Sequence, residues 1–279
     1  KNKTLKKKVC SPTSENDYTC YSNNSLSYMK KLWNARHPDE KILSNNPRTI
    51  WDELRKKLYN TCDTEACWLR QKFMKGRLNS ELKHYTFAPK APDTWKENPN
   101  EWLSSVDIDL VMKQYERKYP CFVFIGPSPI DYDHHKLYNE CVWEELCNFN
   151  LRRHINNGKS KIGIVFNTDP HYKSGSHWIS LFIDIKRGLI YFFDSTGDKP
   201  PKQVLKLVNT IKRQGMNQNI QFNYESNAPN VHQKKDTECG VYSIFFIVQM
   251  IKHGNYEIFS KGTISDSEIH EFRKVYFNY

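Results

Sequence analysis

No run of apolar residues in this chain reaches the roughly 18–20 needed to span a bilayer, which excludes a helical membrane protein. No signal-peptide pattern opens it, and no initiator Met does either, so the earlier loss of a targeting segment stays open. Internal repeats and low-complexity segments are missing as well. Acidic residues are the scarcer charge: 31 Asp and Glu stand against 42 Lys and Arg, for a net charge of +11. That excess suits polyanionic or acidic partners, nucleic acid among them. Part of it sits in "KNKTLKKK" (residues 1–8), which reads more simply as a solvated, mobile tail. Cysteine is unremarkable at eight in 279 residues, and the eight are scattered. Without a short secreted frame there is little reason to draw a disulfide framework, and a reducing compartment is expected. Cys62/Cys67 and Cys10/Cys20 lack the cadence of zinc ligands with accompanying His, so no metal and no cofactor are implied.

What is present is ample material for a core: 38% hydrophobic and 14% aromatic residues, in a length that accommodates one large domain or a core with an appendage. Residues 26–82 space their large apolar side chains three and four apart, in "SLSYMKKLWNARH", "TIWDELRKKLYNTC" and "TEACWLRQKFM", which predicts helices. The Pro- and Asn-rich "FAPKAPDTWKENPNEW" (87–102) reads as a linker. We therefore expect an N-terminal helical domain at 1–88 and a second domain at 89–279. After one helix in "EWLSSVDIDLVMKQYERKY", the second domain turns to short strands: "CFVFIG", "KIGIVFNTD", "HWISLFIDI" and "LIYFFDS". Lys186, Arg187 and Gly188 make a hairpin turn between the last two. A Pro-opened amphipathic helix, the strand "IQFNYES" and the apolar helix "GVYSIFFIVQMIKHG" follow. This order predicts an α+β fold with a central, mostly antiparallel sheet flanked by helices.

Cys239 stands where the polar run "QKKDTE" meets that buried helix. A free Cys is usually an inert core residue. Three features argue for a nucleophile. Gly240 follows and permits a tight turn or close approach; the helix start favours a thiolate; and Thr237 and Glu238 are odd flanks for a core. A nucleophilic thiol needs a base, and the base an orienting group. His177 opens one strand of the hairpin and Asp194 closes the other, which makes them cross-strand neighbours about 5 Å apart at Cβ. Trp178, next on the strand, points to the opposite face from His177, so a core role weighs equally with any other. Asn167 is a further candidate for lining a substrate groove.

"HW" at 177–178, Asp194 seventeen residues on, and Gln233 six residues before Cys239 in "QKKDTECG" resemble the ubiquitin-like-protein (SUMO) protease and adenovirus proteinase superfamily. The wording of "VFNTDPHYKSGSHW" and "HQKKDTECG" resembles the polyprotein-processing proteases of large nucleocytoplasmic DNA viruses, of the African swine fever virus type. The resemblance covers residues 102–251 well; residues 1–88 match the viral helical arm in type and placement only. It implies a cysteine endopeptidase with catalytic Cys239, His177 and Asp194, and an oxyanion hole made by Gln233 and the Cys239 backbone N–H. It also implies that Trp178 roofs a channel admitting only small residues, and that the substrates are virion or capsid polyproteins cut at Gly-Gly-X sites. The expected location is the virion or the host cytoplasm at assembly sites, without secretion or membrane attachment. Glu238 before the nucleophile follows the viral branch, whereas Asp194 is the cellular choice of third residue. The same residues would serve a deSUMOylase or deubiquitinase, and a DNA-associated binding protein with a vestigial triad is the alternative from another class.

Overall fold

The structure, a computed structural model, describes residues 8–75 and 80–279, the side chains of Ser80, Glu81, Lys83 and Leu137 excepted. The basic run at 1–8 therefore lies, apart from Lys8, outside the described residues. The chain divides into two compact units, Lys1–Ala91 with Lys274–Tyr279, and Pro92–Arg273. Among the described residues no helix is long and apolar enough to cross a membrane.

The first unit holds helices α1 (Asn23–Arg36), α2 (Pro47–Lys57), α3 (Glu65–Trp68) and α4 (Ser80–Tyr85). Ser22 caps α1 by accepting from the Ser25 amide, and Asn46 caps α2 from Thr49, with Pro47 at the first position. Their apolar faces meet in a core that includes Leu26, Met29, Ile50, Leu54 and Trp68.

The second unit is built on one five-stranded sheet in the order β1 (Phe122–Pro129), β2 (Lys161–Asn167), β3 (Trp178–Asp184), β4 (Leu189–Phe193) and β5 (Asn223–Ser226). The α+β fold expected from the sequence is the fold observed. The sheet is more mixed than "mostly antiparallel", however. β2–β3 and β3–β4 are antiparallel, but β1–β2 and β4–β5 are parallel. The reason lies in the connections: parallel neighbours need a crossover, and both outer pairs have one. Between β1 and β2 run α6 (Glu144–Cys147) and α7 (Leu151–Asn156), following α5 (Ser105–Lys118), which precedes β1; between β4 and β5 runs α8 (Lys202–Met216). The helices α9 (Cys239–Lys252), α10 (Glu257–Ser260) and α11 (Asp266–Tyr276) end the chain, α11 crossing the division between the units.

One sheet face is covered by α7 and α8, whose Leu151, Val204, Leu207, Val208 and Ile211 join Ile164, Ile179, Leu181 and Phe192 in the core. α9 packs against β2 and β3, and α5 against β1 and α9. α9 is buried on almost every side, as its unbroken apolar sequence requires. Its close approach depends on Gly163 of β2, where a Cβ would lie 2.9 Å from Ile247 and 3.0 Å from Phe122. α9 is thus fixed at the sheet, and its first residue is Cys239.

The cysteines depart from expectation. Cys10–Cys20, Cys62–Cys67 and Cys141–Cys147 are disulfide-bonded, with Cα atoms 5.0, 5.5 and 6.2 Å apart, which leaves Cys121 and Cys239 free. The expectation of no disulfide framework is corrected: each pair closes a loop of 5 to 10 residues, which spacing alone does not distinguish from chance scatter. Cys141 lies just before the short α6 and Cys147 ends it.

Candidate active site

Three segments distant in sequence converge where β3 begins and β4 ends. His177 immediately precedes β3, Asp194 immediately follows β4, and Cys239 opens α9. The β3–β4 register pairs Ser180 with Phe193 and Asp184 with Leu189, which sets Asp194 opposite Ile179. His177 is therefore the diagonal neighbour of Asp194, not the direct one, and the imidazole spans the difference. Nε2 of His177 lies 2.8 Å from Oδ1 of Asp194.

Asp194 is buried and heavily tethered. Its Oδ1 also accepts from the amide of Thr196 at 2.9 Å and from the Thr196 hydroxyl at 2.7 Å. Its backbone is clamped by Asn227, which accepts from the Asp194 amide at 2.9 Å and donates to its carbonyl at 2.7 Å. A carboxylate fixed this way leaves the ring little freedom to turn. With Nε2 on Asp194, Nδ1 is the ring nitrogen left to interact with Cys239. Burial by itself would lower the His177 pKa, but hydrogen bonds and charge from Asp194 and Cys239 outweigh it and raise it to about 10. An imidazolium held against a thiol, and oriented by a carboxylate, is the constellation that nucleophilic thiol chemistry requires.

Cys239 is only 2% exposed. A cavity of about 900 Å³ is lined by Trp102, Ser176, His177, Thr196, Gln233, the 234–238 segment that leads into Cys239, and residues of α11 including His270. Gln233 is itself buried, with Oε1 accepting from the Ser195 hydroxyl at 2.7 Å and Nε2 donating to the Lys235 carbonyl. Gly240 behaves differently from expectation: no turn occurs there, and the space a Cβ would take is filled by Leu103, 2.9 Å away.

The two remaining substrate candidates lie elsewhere. Trp178 is buried, and its indole N–H donates to the Leu103 carbonyl at 3.0 Å. The tryptophan that faces the cavity is Trp102, which is 42% exposed and sits one residue before the carbonyl Trp178 holds. Asn167 is outside the cavity lining; its side-chain oxygen accepts from the amides of Asp169 and Ser176 at 2.9 and 3.3 Å and shapes the loop leading to His177.

Sequence reasoning missed the support beneath the site. Glu238 is 2% exposed, its carboxylate 2.9 Å from Nε of the fully buried Arg273 and 3.0 Å from Nδ1 of His270. Arg273 also donates to the Glu101 carbonyl at 2.8 Å and lies over the Trp95 ring. Glu238 is thus a paired interior charge, which resolves its odd place beside the apolar helix. Ser195, adjacent to Asp194 in "FFDS", carried a local signal that was overlooked; Asn227 and Arg273, more than thirty residues from their partners, carried none. His135, Cys141 and Cys147 bring three possible metal-ligating atoms within 4.8 Å, but the two sulfurs are bonded to each other, so this set needs the disulfide reduced first.

This fold and site define a cysteine protease. Residues 151–279, a little under half of the chain, match the Ulp1 protease family, C-terminal catalytic domain. It is 29% identical over 294 residues to a protein of Acanthamoeba polyphaga mimivirus named provisionally as a thiol protease, covering 96% of this chain and 93% of that protein. It is 27% identical over 234 residues to a SUMO-1 cysteine protease of African swine fever virus, covering 79% and 84%. The crystal structure of an African swine fever virus protease superposes with a TM-score of 0.71 over 98% of this chain and 97% of that one, at 22% identity, so the likeness extends to the fold.

Proposed function

We propose that this protease is an endopeptidase that matures virion or capsid polyproteins by cleaving after small residues at Gly-Gly-X sites. The observation that carries the reading is the 2.8 Å contact with Asp194 of His177, a residue that lines an open cavity and interacts with the Cys239 thiol. Cys239 attacks the scissile carbonyl, and the His177 imidazolium then protonates the leaving amine. Water, deprotonated by the now neutral His177, hydrolyses the acyl-enzyme and regenerates the thiol. Gln233 and the Cys239 backbone N–H stabilise the oxyanion in each step. Trp102, exposed in the cavity wall beside His177, supports selection of residues without bulky side chains; Trp178 contributes by holding Leu103, and Asn167 by shaping the His177 loop.

In this reading the N-terminal helical domain (1–88) accompanies the catalytic domain (89–279), and the protein works in the virion or at cytoplasmic assembly sites. Nucleic acid contact fits the basic surface of α8, where Lys202, Lys206 and Arg213 share one groove. The African swine fever virus relative is named a SUMO-1 cysteine protease, which favours a second reading as an isopeptidase on host conjugates. A Gly-Gly-X peptide presented beside a SUMO or ubiquitin fusion separates them. Cleavage of the short peptide supports polyprotein processing, cleavage of the folded fusion alone sinks it, and DNA binding without any cleavage supports the vestigial triad.

A further inference from the structure

Ser195 stands between the two halves of the site. It directly follows Asp194, and its carbonyl accepts from the amides of His232 at 2.9 Å and Gln233 at 2.8 Å, so its backbone ties the 232–233 segment to the end of β4. Its hydroxyl is a separate matter, because a backbone tether needs no side chain. That hydroxyl donates to Oε1 of Gln233 at 2.7 Å, with Ser195 only 1% and Gln233 only 5% exposed. A primary amide carries one oxygen and two N–H donors. Here the oxygen is held by Ser195, and one donor is directed to the carbonyl of Lys235, which can only accept. One N–H is left, on a residue that lines the cavity together with His177.

We infer that Ser195 is a positioning residue for catalysis: its hydroxyl holds in place the Gln233 amide whose remaining N–H faces the developing oxyanion. The inference rests on the reading of Gln233 as an oxyanion donor. The torsion that turns a terminal amide is broad and roughly two-fold, so geometry alone does not choose between the two orientations. The Lys235 carbonyl chooses, because it only accepts; the Ser195 hydroxyl, which can donate or accept, fixes the place of the amide. The flipped amide sets its oxygen against the Lys235 carbonyl and presents the remaining lone pairs to the site, where they repel the negative charge that forms in the transition state. With the Ser195 hydroxyl gone, the amide loses one of the two hydrogen bonds that hold it, and its N–H is no longer fixed at the oxyanion position.

Ser195→Ala keeps the carbonyl that accepts from residues 232 and 233, so the backbone tether survives. We expect it to lower kcat roughly 10- to 100-fold, short of the roughly 10²- to 10³-fold loss that removing an oxyanion donor causes. KM stays within about twofold, because the interaction is made only in the transition state. Alkylation of Cys239 by iodoacetamide, a displacement that forms no oxyanion, proceeds at the wild-type rate. Ser195→Thr, which retains the hydroxyl, recovers most of the turnover. The double variant Ser195→Ala/Gln233→Ala is no slower than Gln233→Ala, since Ser195 acts through the missing amide. A double variant slower by the product of the two single losses, or a slowed alkylation, overturns the role of Ser195 while leaving Gln233 as a donor. An unchanged kcat in Gln233→Ala itself removes the oxyanion reading, and this inference with it.

Discussion

Nε2 of His177 and Oδ1 of Asp194 are 2.8 Å apart although the β3–β4 register makes their residues diagonal neighbours. The contact is built by the carboxylate's surroundings as much as by the hairpin. Thr196 donates twice to the same oxygen, and Asn227 clamps the Asp194 backbone on both sides. The base is thereby held ready for the thiol at the start of α9.

The first consequence is a pH profile. With the His177 pKa raised to about 10, the imidazolium persists through neutrality and is lost as pH rises through that value. We expect kcat/KM to fall on the alkaline side near pH 10, in a limb that belongs to the coupled Cys239–His177–Asp194 group. Asp194 raises that pKa, so Asp194→Asn moves the limb to lower pH. A limb that stays in place in Asp194→Asn removes Asp194 from the group.

The Gln233 amide makes the second. Gln233→Ala should lower kcat by roughly 10²- to 10³-fold and leave KM nearly unchanged. Initial rates over a range of peptide concentrations separate the two parameters. A raised KM with unaltered kcat assigns Gln233 to substrate binding instead.

The third concerns stability at the foot of α9. Arg273 is fully buried against Glu238, so Arg273→Met leaves the interior carboxylate next to Cys239 with its guanidinium partner gone and only the His270 ring beside it. A loss of about 3–5 kcal/mol is expected in urea unfolding. Replacing both partners, as in Glu238→Gln with Arg273→Met, should cost less than the sum of the single changes. Additive losses would mean the pair does not act as a unit.

The fourth follows from the disulfides. Protein isolated without reductant and unfolded in denaturant should take up alkylating reagent at two thiols, Cys121 and Cys239, and at all eight after reduction. Intact mass reads the number directly. Eight reactive thiols before reduction would refute the pairing.

These predictions draw on features of unequal visibility in the sequence. His177, Asp194 and Cys239 stand out because each lies where a polar residue meets an apolar element: at a strand mouth, at a strand end and at the start of a buried helix. The central antiparallel strands were legible for a similar reason, since a short Gly-containing turn links β3 to β4. The parallel outer pairs were hidden, because strand composition does not show where a crossover chain returns. Local pattern also failed where a partner was remote. Glu238 is explained only by Arg273, thirty-five residues later, which packs against it. Likewise Asn227 gave no hint of Asp194, and the cysteine spacings gave no connectivity.

The central claim is that Cys239, engaged by His177, is the nucleophile that cleaves the substrate. The most direct test is a Gly-Gly peptide with a C-terminal vinyl sulfone, which traps the attacking thiol, followed by intact mass and peptide mapping. We predict one adduct per chain, on Cys239, formed in step with loss of peptidase activity. It should be slowed strongly in His177→Ala and absent in Cys239→Ala, which itself loses at least about 10³-fold in turnover. An adduct on Cys121 with Cys239 unmodified, or full labelling of Cys239 with activity retained, would contradict it.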